Sequence, residues 1–231
     1  MQTNSRKVAA FTLIELLVVI AVIIILAGLL FAGLRGAQEQ ARRTQAKNDL
    51  TQLITAVNAY YTEYGKYPIV ASVGTPPDYV EFTTSNTDLL DVLRATQTGG
   101  VGNGANANNV LNPRKIVFIQ APDVKNSAGP RSGIQIQDSA TVAGSVVGAW
   151  YDPWGFITGN VEAGIYHVRI DSDYNNSIPN PYSTGGAGSD PIPQGVIAWS
   201  LGKDGTLGTN GDGVYKNTTI GVQSDDVISW Q

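Results

Sequence analysis

The sequence predicts an α+β chain in which a long N-terminal helix packs on an antiparallel β-sheet head. Three observations carry that expectation. No proline interrupts Phe11 to Lys66, and apolar residues run first without a break and then at helical spacing. Beyond Pro68, short apolar pieces alternate with turn residues, and 26 of the 231 residues are glycine, a composition suited to short strands joined by many turns. Charged residues make up 15% of the chain, below the roughly 25% usual in soluble domains.

Residues 1–10 are a short polar segment in which Arg6 and Lys7 precede the apolar run, like the charged start of an export signal. Residues 11–34 hold the apolar run. From Leu16 to Leu34 no side chain is charged or strongly polar, and about 19 residues at about 1.5 Å each approach the 30 Å of a bilayer core. The run exceeds the roughly 7–15 apolar residues of a secretory signal, and although a plain anchor explains the length, it gains nothing from Glu15, an acid costly to hold in hydrocarbon without a partner. Arg35, Arg42, Arg43 and Lys47 flank the far end, so a literal charge count places that end in the cytoplasm. Long domains, however, cross largely regardless of charge.

Residues 35–66 continue the helix. Ala46, Leu50, Leu53, Ile54, Val57, Tyr60 or Tyr61, and Tyr64 form one apolar stripe, with Gln38, Glu39, Arg42, Arg43, Gln45, Lys47, Asn48, Asp49 and Gln52 opposite. Gly65 is the expected C-cap, with Pro68 just beyond. Helical throughout, Phe11 to Tyr64 measures about 80 Å.

Residues 67–148 read as loops and short elements. Val80 to Phe82, Lys115 to Ile119 and Ile134 to Ile136 are apolar pieces, Thr87 to Leu93 is a short helix capped by Thr87 or Asn86, and Gly99 to Asn109 is a loop. Residues 149–231 form the head. Ala149 to Gly155 is an aromatic turn, Gly164 to Asp171 a strand with His167 and Arg169 on one face and Tyr166, Val168 and Ile170 on the other, and Gly195 to Ser200 a core strand. Asp173 to Pro193 is loop by composition.

The net charge is −4 and more negative without Arg6 and Lys7, a poor match for nucleic acid. There is no Cys, so neither disulfides nor thiolate metal sites arise. No nucleophile elbow, phosphate loop or zinc spacing is present. His167 is the sole histidine and reads as structural. Asp171 and Asp173 have the composition of a turn rather than of a glycosidase pair. Trp150, Tyr151 and Trp154 make either a carbohydrate platform or a packed turn. The most suggestive acids close the chain: Asp204 within Ser200 to Gly205, then Asp212, then Asp225 and Asp226. Acids interleaved with glycine supply the oxygens and sharp bends that Ca2+ requires, and equally the ordinary turns of hairpins with no ion.

Three separated segments resemble the type IV pilins and, more closely, the major pseudopilin of type II secretion systems. Phe11-Thr12-Leu13-Ile14-Glu15-Leu16 resembles the prepilin cleavage and methylation motif. Tyr64-Gly65-Lys66-Tyr67-Pro68 resembles the end of the long helix. Asp152-Pro153-Trp154-Gly155, Ser200 to Gly205 and Asp226 to Trp230 resemble the C-terminal signature. Relative to that family, residues 67–148 are a large insertion.

The resemblance implies a structural subunit, not an enzyme. A prepilin peptidase would cut between Ala10, where the family usually carries Gly, and Phe11, and N-methylate Phe11. The N-terminus would lie in the cytoplasm and the head outside a single-pass inner-membrane helix. Protomers would assemble with the inner-membrane secretion platform and minor pseudopilins into a helical periplasmic fibre, with Glu15 pairing with the Phe11 amine of a neighbour. Calcium would be held by Asp204, by the backbone carbonyl of Leu201 and by a second acid. An ungapped match places Ser224 where that acid is usual, and Asp212, Asp225 and Asp226 are the alternatives. The runner-up within the family is a type IV pilin for adhesion, motility or DNA uptake, and outside it a membrane-anchored carbohydrate-binding domain.

Overall fold

The computed structural model describes residues 12–69, 77–97, 105–136, 143–160, 162–183, 186–209, 211–217 and 221–231, with backbone alone at 29–33 and 217. The fold is α+β, an N-terminal helix followed by an antiparallel sheet of four strands. Helix α1 runs Leu13–Tyr64. It ends where the sequence places its cap: Gly65 has φ +68°, and its N–H donates to the Tyr61 carbonyl at 2.8 Å, a left-handed turn that glycine enters without a Cβ penalty. The chain divides into two compact units between Ala41 and Arg42.

In the second unit the main sheet has the order β1 (Tyr79–Phe82), β4 (His167–Asp171), β5 (Val196–Ser200), β8 (Val227–Ile228), each pair antiparallel. Both faces are covered, which explains why β5 is apolar with no alternation. Toward the helix, Tyr166, Val168, Ile170, Val196, Ala198 and Val227 join Ala46, Leu50, Leu53, Val57 and Tyr60 in one core. On the reverse face, Ile197, Trp199 and Ile228 pack with Ile178, Tyr182, Ala187, Ile192 and Leu201. The segment between β4 and β5, which is loop by composition, has only the isolated Ile178–Ile192 bridge among its described residues, yet it roofs that second core.

Of the two tyrosines open at one position of the stripe, Tyr60 is buried and Tyr61 is exposed, the Tyr61 ring 4.8 Å from Tyr67. Two polar residues depart from the expected pattern. Asp49 lies three residues after Ala46 and four before Leu53, so it faces the sheet, where the Tyr166 hydroxyl donates to its Oδ2 at 2.8 Å. Lys47 turns back to donate to the carbonyls of Ile228 and Gln231. Both polar side chains sit at buried or half-buried positions because the folded chain supplies partners that sequence spacing does not reveal.

The middle region is built into the head. Strand β1 forms the sheet edge beside β4, with Tyr79 opposite Asp171 and Phe82 opposite Val168. Helix α2 (Thr87–Arg94) buries Leu89, Leu90, Val92 and Leu93 in the main core. Neither expected cap acts through its own side chain in the ordinary way. Asn86 occupies the N-cap position without a side-chain cap bond; its amide instead accepts from the Trp150 N–H at 2.9 Å and donates to the Tyr166 carbonyl at 2.8 Å. The Thr87 N–H donates to Ser85 Oγ at 3.2 Å. The Tyr60 and Tyr64 hydroxyls fasten the next stretch to α1, donating to the Leu111 carbonyl and to Asn112 Oδ1. Short pairs complete the fold: β2 (Gly133–Ile134) with β3 (Trp150–Tyr151), and β6 (Lys216–Asn217) with β7 (Val222–Gln223).

Candidate functional site

In the first unit, Thr12 and Glu15 close the start of α1. The Thr12 N–H donates to Glu15 Oε2 at 2.9 Å, the Thr12 hydroxyl to the same oxygen at 2.7 Å, and the Glu15 N–H to Thr12 Oγ1 at 3.3 Å. This is a capping box, in which two otherwise orphaned donors at a helix start are satisfied reciprocally. Its signal, a Thr three residues before a Glu, lies in the sequence and was overshadowed by the apolar run around it. Glu15 thus has a partner within its own chain. Ala10 and Phe11 lie outside the described residues. After Glu15 the side chains are apolar and exposed, from Leu16 to Leu26. Among the described residues, which omit the side chains of 29–33, no helix is long and apolar enough to cross a membrane.

In the second unit, the structure gathers three of the C-terminal acids. Asp204, Asp225 and Asp226 each offer a carboxylate oxygen, all within 4.8 Å of one another. Asp225 Oδ2 accepts from the Lys203 and Asp204 N–H groups at 2.7 and 3.2 Å, tying the two ends of the loop together. Asp204 is exposed and accepts from the Thr206 N–H. Asp226 is 3% exposed. Its Oδ2 accepts from the Tyr182 hydroxyl and the Gly208 N–H, both at 2.8 Å, whereas Oδ1 is buried without a hydrogen-bond partner among the described residues. Burial pushes the Asp226 carboxyl up to about 7, with the Asp225 charge adding to the rise and the Gly208 and Tyr182 hydrogen bonds opposing it. Gly202 has φ +68°, and a Cβ there would lie 2.6 Å from the Asp225 carbonyl oxygen, so the close approach of the two segments requires glycine.

Asp212 is not in the group. Its carboxylate serves its own turn, accepting from the N–H groups of Thr209 and Val214 and from the Thr209 hydroxyl. Ser224 is buried beside the cluster, its Oγ accepting from the Asp226 N–H at 3.0 Å. Leu201 packs its side chain in the second core, which anchors the backbone where the loop begins. A carboxylate oxygen buried without a donor, beside two further acids on glycine-bearing chain, fits a hard divalent cation.

The two remaining C-terminal motifs meet directly. Asp152 Oδ1 accepts from the Trp154 and Gly155 N–H groups at 2.9 and 2.8 Å, and Oδ2 accepts from the Ser200 hydroxyl at 2.5 Å. The Gly202 N–H in turn donates to Ser200 Oγ at 3.2 Å. Nothing in local spacing marks this junction, since 48 residues separate Asp152 from Ser200.

The other candidates are structural. His167 is buried, with Nε2 2.9 Å from the Glu162 carbonyl, and burial lowers its pKa to about 4. Asp171 accepts from the N–H groups of Asp173, Tyr174 and Asn176, which makes the pair a turn. Trp150 and Tyr151 are buried, and Trp154 is partly buried against the main core.

Residues 5–31 match the model of the prokaryotic N-terminal methylation motif. The type II secretion system core protein G of Aeromonas hydrophila is 36% identical over 65 residues, 28% of this chain and 46% of that protein. Its namesake from Pectobacterium carotovorum subsp. carotovorum is 38% identical over 58 residues, 25% of this chain and 37% of that protein. The chain thus spans less than half the length of either relative. No solved structure matches it. The chain carries the N-terminal methylation motif of type IV pilin-like proteins and is similar over part of its length to type II secretion system core protein G.

Proposed function

We propose that the chain is a structural subunit of a pseudopilus, the fibre of a type II secretion system. The observation that carries this is the methylation motif at the head of a helix that keeps its apolar side chains exposed from Leu13 to Leu26. Apolar surface of that kind is unfavourable in water by about 25 cal/mol per Å2. Lipid before assembly, and equivalent helices within a fibre afterwards, would each remove it from water. Head-to-tail contacts that do not close a ring generate such fibres. The subunit would be anchored in the inner membrane with its head exported, and its partners would be further copies of itself, a prepilin peptidase, the secretion platform and minor pseudopilins. In the fibre Glu15 would exchange its Thr12 contacts for the Phe11 amine of a neighbour, a pairing better suited to setting register than to adding stability.

Mass spectrometry of the protein purified from its own membrane tests the processing step. An N-terminal N-methyl-Phe11 is expected. Intact Met1, or a start near Leu34, would overturn the assignment.

Calcium belongs to the same proposal. Asp204, Asp225, Asp226 and the Leu201 carbonyl would hold it, and the divalent ion would offset most of the repulsion among three neighbouring carboxylates and bind the loop to the C-terminal strand. The buried, unpartnered Oδ1 of Asp226 supports the choice of Asp226 over Asp212 as a ligand. Chelation should lower the melting temperature of the calcium-loaded protein.

A further inference from the structure

Within the Asp173 to Pro193 segment, Tyr182 brings its hydroxyl to the acidic loop. Tyr182 is 2% exposed, and its ring sits 5.4 Å from Tyr215 and 6.1 Å from Trp230. Asn180 sets the local turn: its Oδ1 accepts from the Tyr182 N–H at 3.0 Å, and its Nδ2 donates to the carbonyls of Ala187 and Ser189. The Tyr182 hydroxyl is therefore delivered by a constrained loop on a packed ring. It donates to Asp226 Oδ2, the oxygen that the Gly208 N–H also reaches. A carboxylate whose one oxygen is held by two fixed donors cannot turn freely about its Cβ–Cγ bond.

We propose that Tyr182 is a positioning residue for the cation: with the Gly208 N–H it occupies Asp226 Oδ2 and leaves Oδ1 as the oxygen that ligates. This rests on the calcium reading of the loop. Groups that hydrogen-bond a ligating carboxylate orient it, and their loss lowers metal affinity by about 10- to 100-fold. The role is distinct from packing, which the ring supplies without its hydroxyl.

Isothermal titration of the full chain in detergent with calcium, as wild type and as Tyr182→Phe, separates the outcomes. The variant keeps the ring, so an affinity at least about 10-fold weaker is expected, together with a melting-temperature deficit that is larger in calcium than in chelator. Equal affinities, or the same deficit in both conditions, would leave Tyr182 a structural residue only and overturn the proposal. No calcium uptake by the wild type would instead remove the calcium reading itself. Incorporation of 3-fluorotyrosine at position 182 retains the hydroxyl and reads the contact even if Tyr182→Phe does not fold. Its fluorine resonance should shift on saturation with calcium, and an unmoved resonance in a protein that binds the ion would count against the proposal.

Discussion

Asp152 shows what a single residue decides in this head. It is fully buried, held by the N–H groups of Trp154 and Gly155 and by the Ser200 hydroxyl. Burial outweighs those donors and raises its carboxyl to about 6 from the ordinary 3.8. The folded chain therefore binds this proton more tightly than the unfolded chain, and the associated stability is lost as pH rises from about 4 through about 6. His167 works in the opposite sense: its pKa falls to about 4, so its contribution is lost as pH falls from about 6.5 toward 4. Asp152→Asn should thus gain on the wild type as pH rises across that window, by up to about 3 kcal/mol. Melting curves in chelator at pH 4 and pH 7 check the sign, and a pH-independent difference would show that Asp152 is held ionised throughout. The aromatic turn around Asp152 was legible in the sequence, because Asp-Pro-Trp-Gly is dense in turn formers. Its bond to Ser200 was not, because the contact closes only when β3 and β5 are both in place.

At the scale of elements, α2 and β1 place short pieces of residues 67–148 within the core and the sheet. Leu89, Leu90, Val92 and Leu93 share the core that holds Leu50 and Leu53 of α1, and β1 completes the sheet edge. Leu90→Ala should therefore cost about 2–5 kcal/mol, as Leu50→Ala should. Urea unfolding of each variant checks this, and a main transition unmoved by Leu90→Ala would show that α2 does not share the cooperative core of α1. The helical pattern of α2 was readable from Thr87 to Leu93, and Val80 to Phe82 stood out as an apolar piece. Their destinations were not readable. An amphipathic turn of helix and a four-residue strand specify a face to bury but no partner, and the glycine-rich stretches around them leave many routes open. Asp49 is the converse case, a charged residue assigned to solvent by its type although its helical position faces the sheet.

For the whole molecule, the two units carry separate tasks. The first presents apolar side chains and an N-terminal capping box, and the second encloses two cores and an acidic loop. If that loop holds calcium, an ion at about a hundred times its dissociation constant adds about 2.7 kcal/mol. Chelation should then lower the melting temperature by roughly 5–10 °C for a chain of this size. Asp226→Asn should abolish the difference, and a melting curve indifferent to chelator would leave the loop as turns alone. Periodicity specified α1, its glycine cap, the alternating strand β4 and the apolar strand β5, since each pattern is a property of neighbouring residues under fixed backbone geometry. That Asp225 and Asp226, and not Asp212, gather beside Asp204 emerges only in the folded chain. Acidic side chains separated by many residues become neighbours only through strand pairing and loop closure, and the buried Asp226 oxygen left without a donor exists only once β5, β8 and Tyr182 have packed around it.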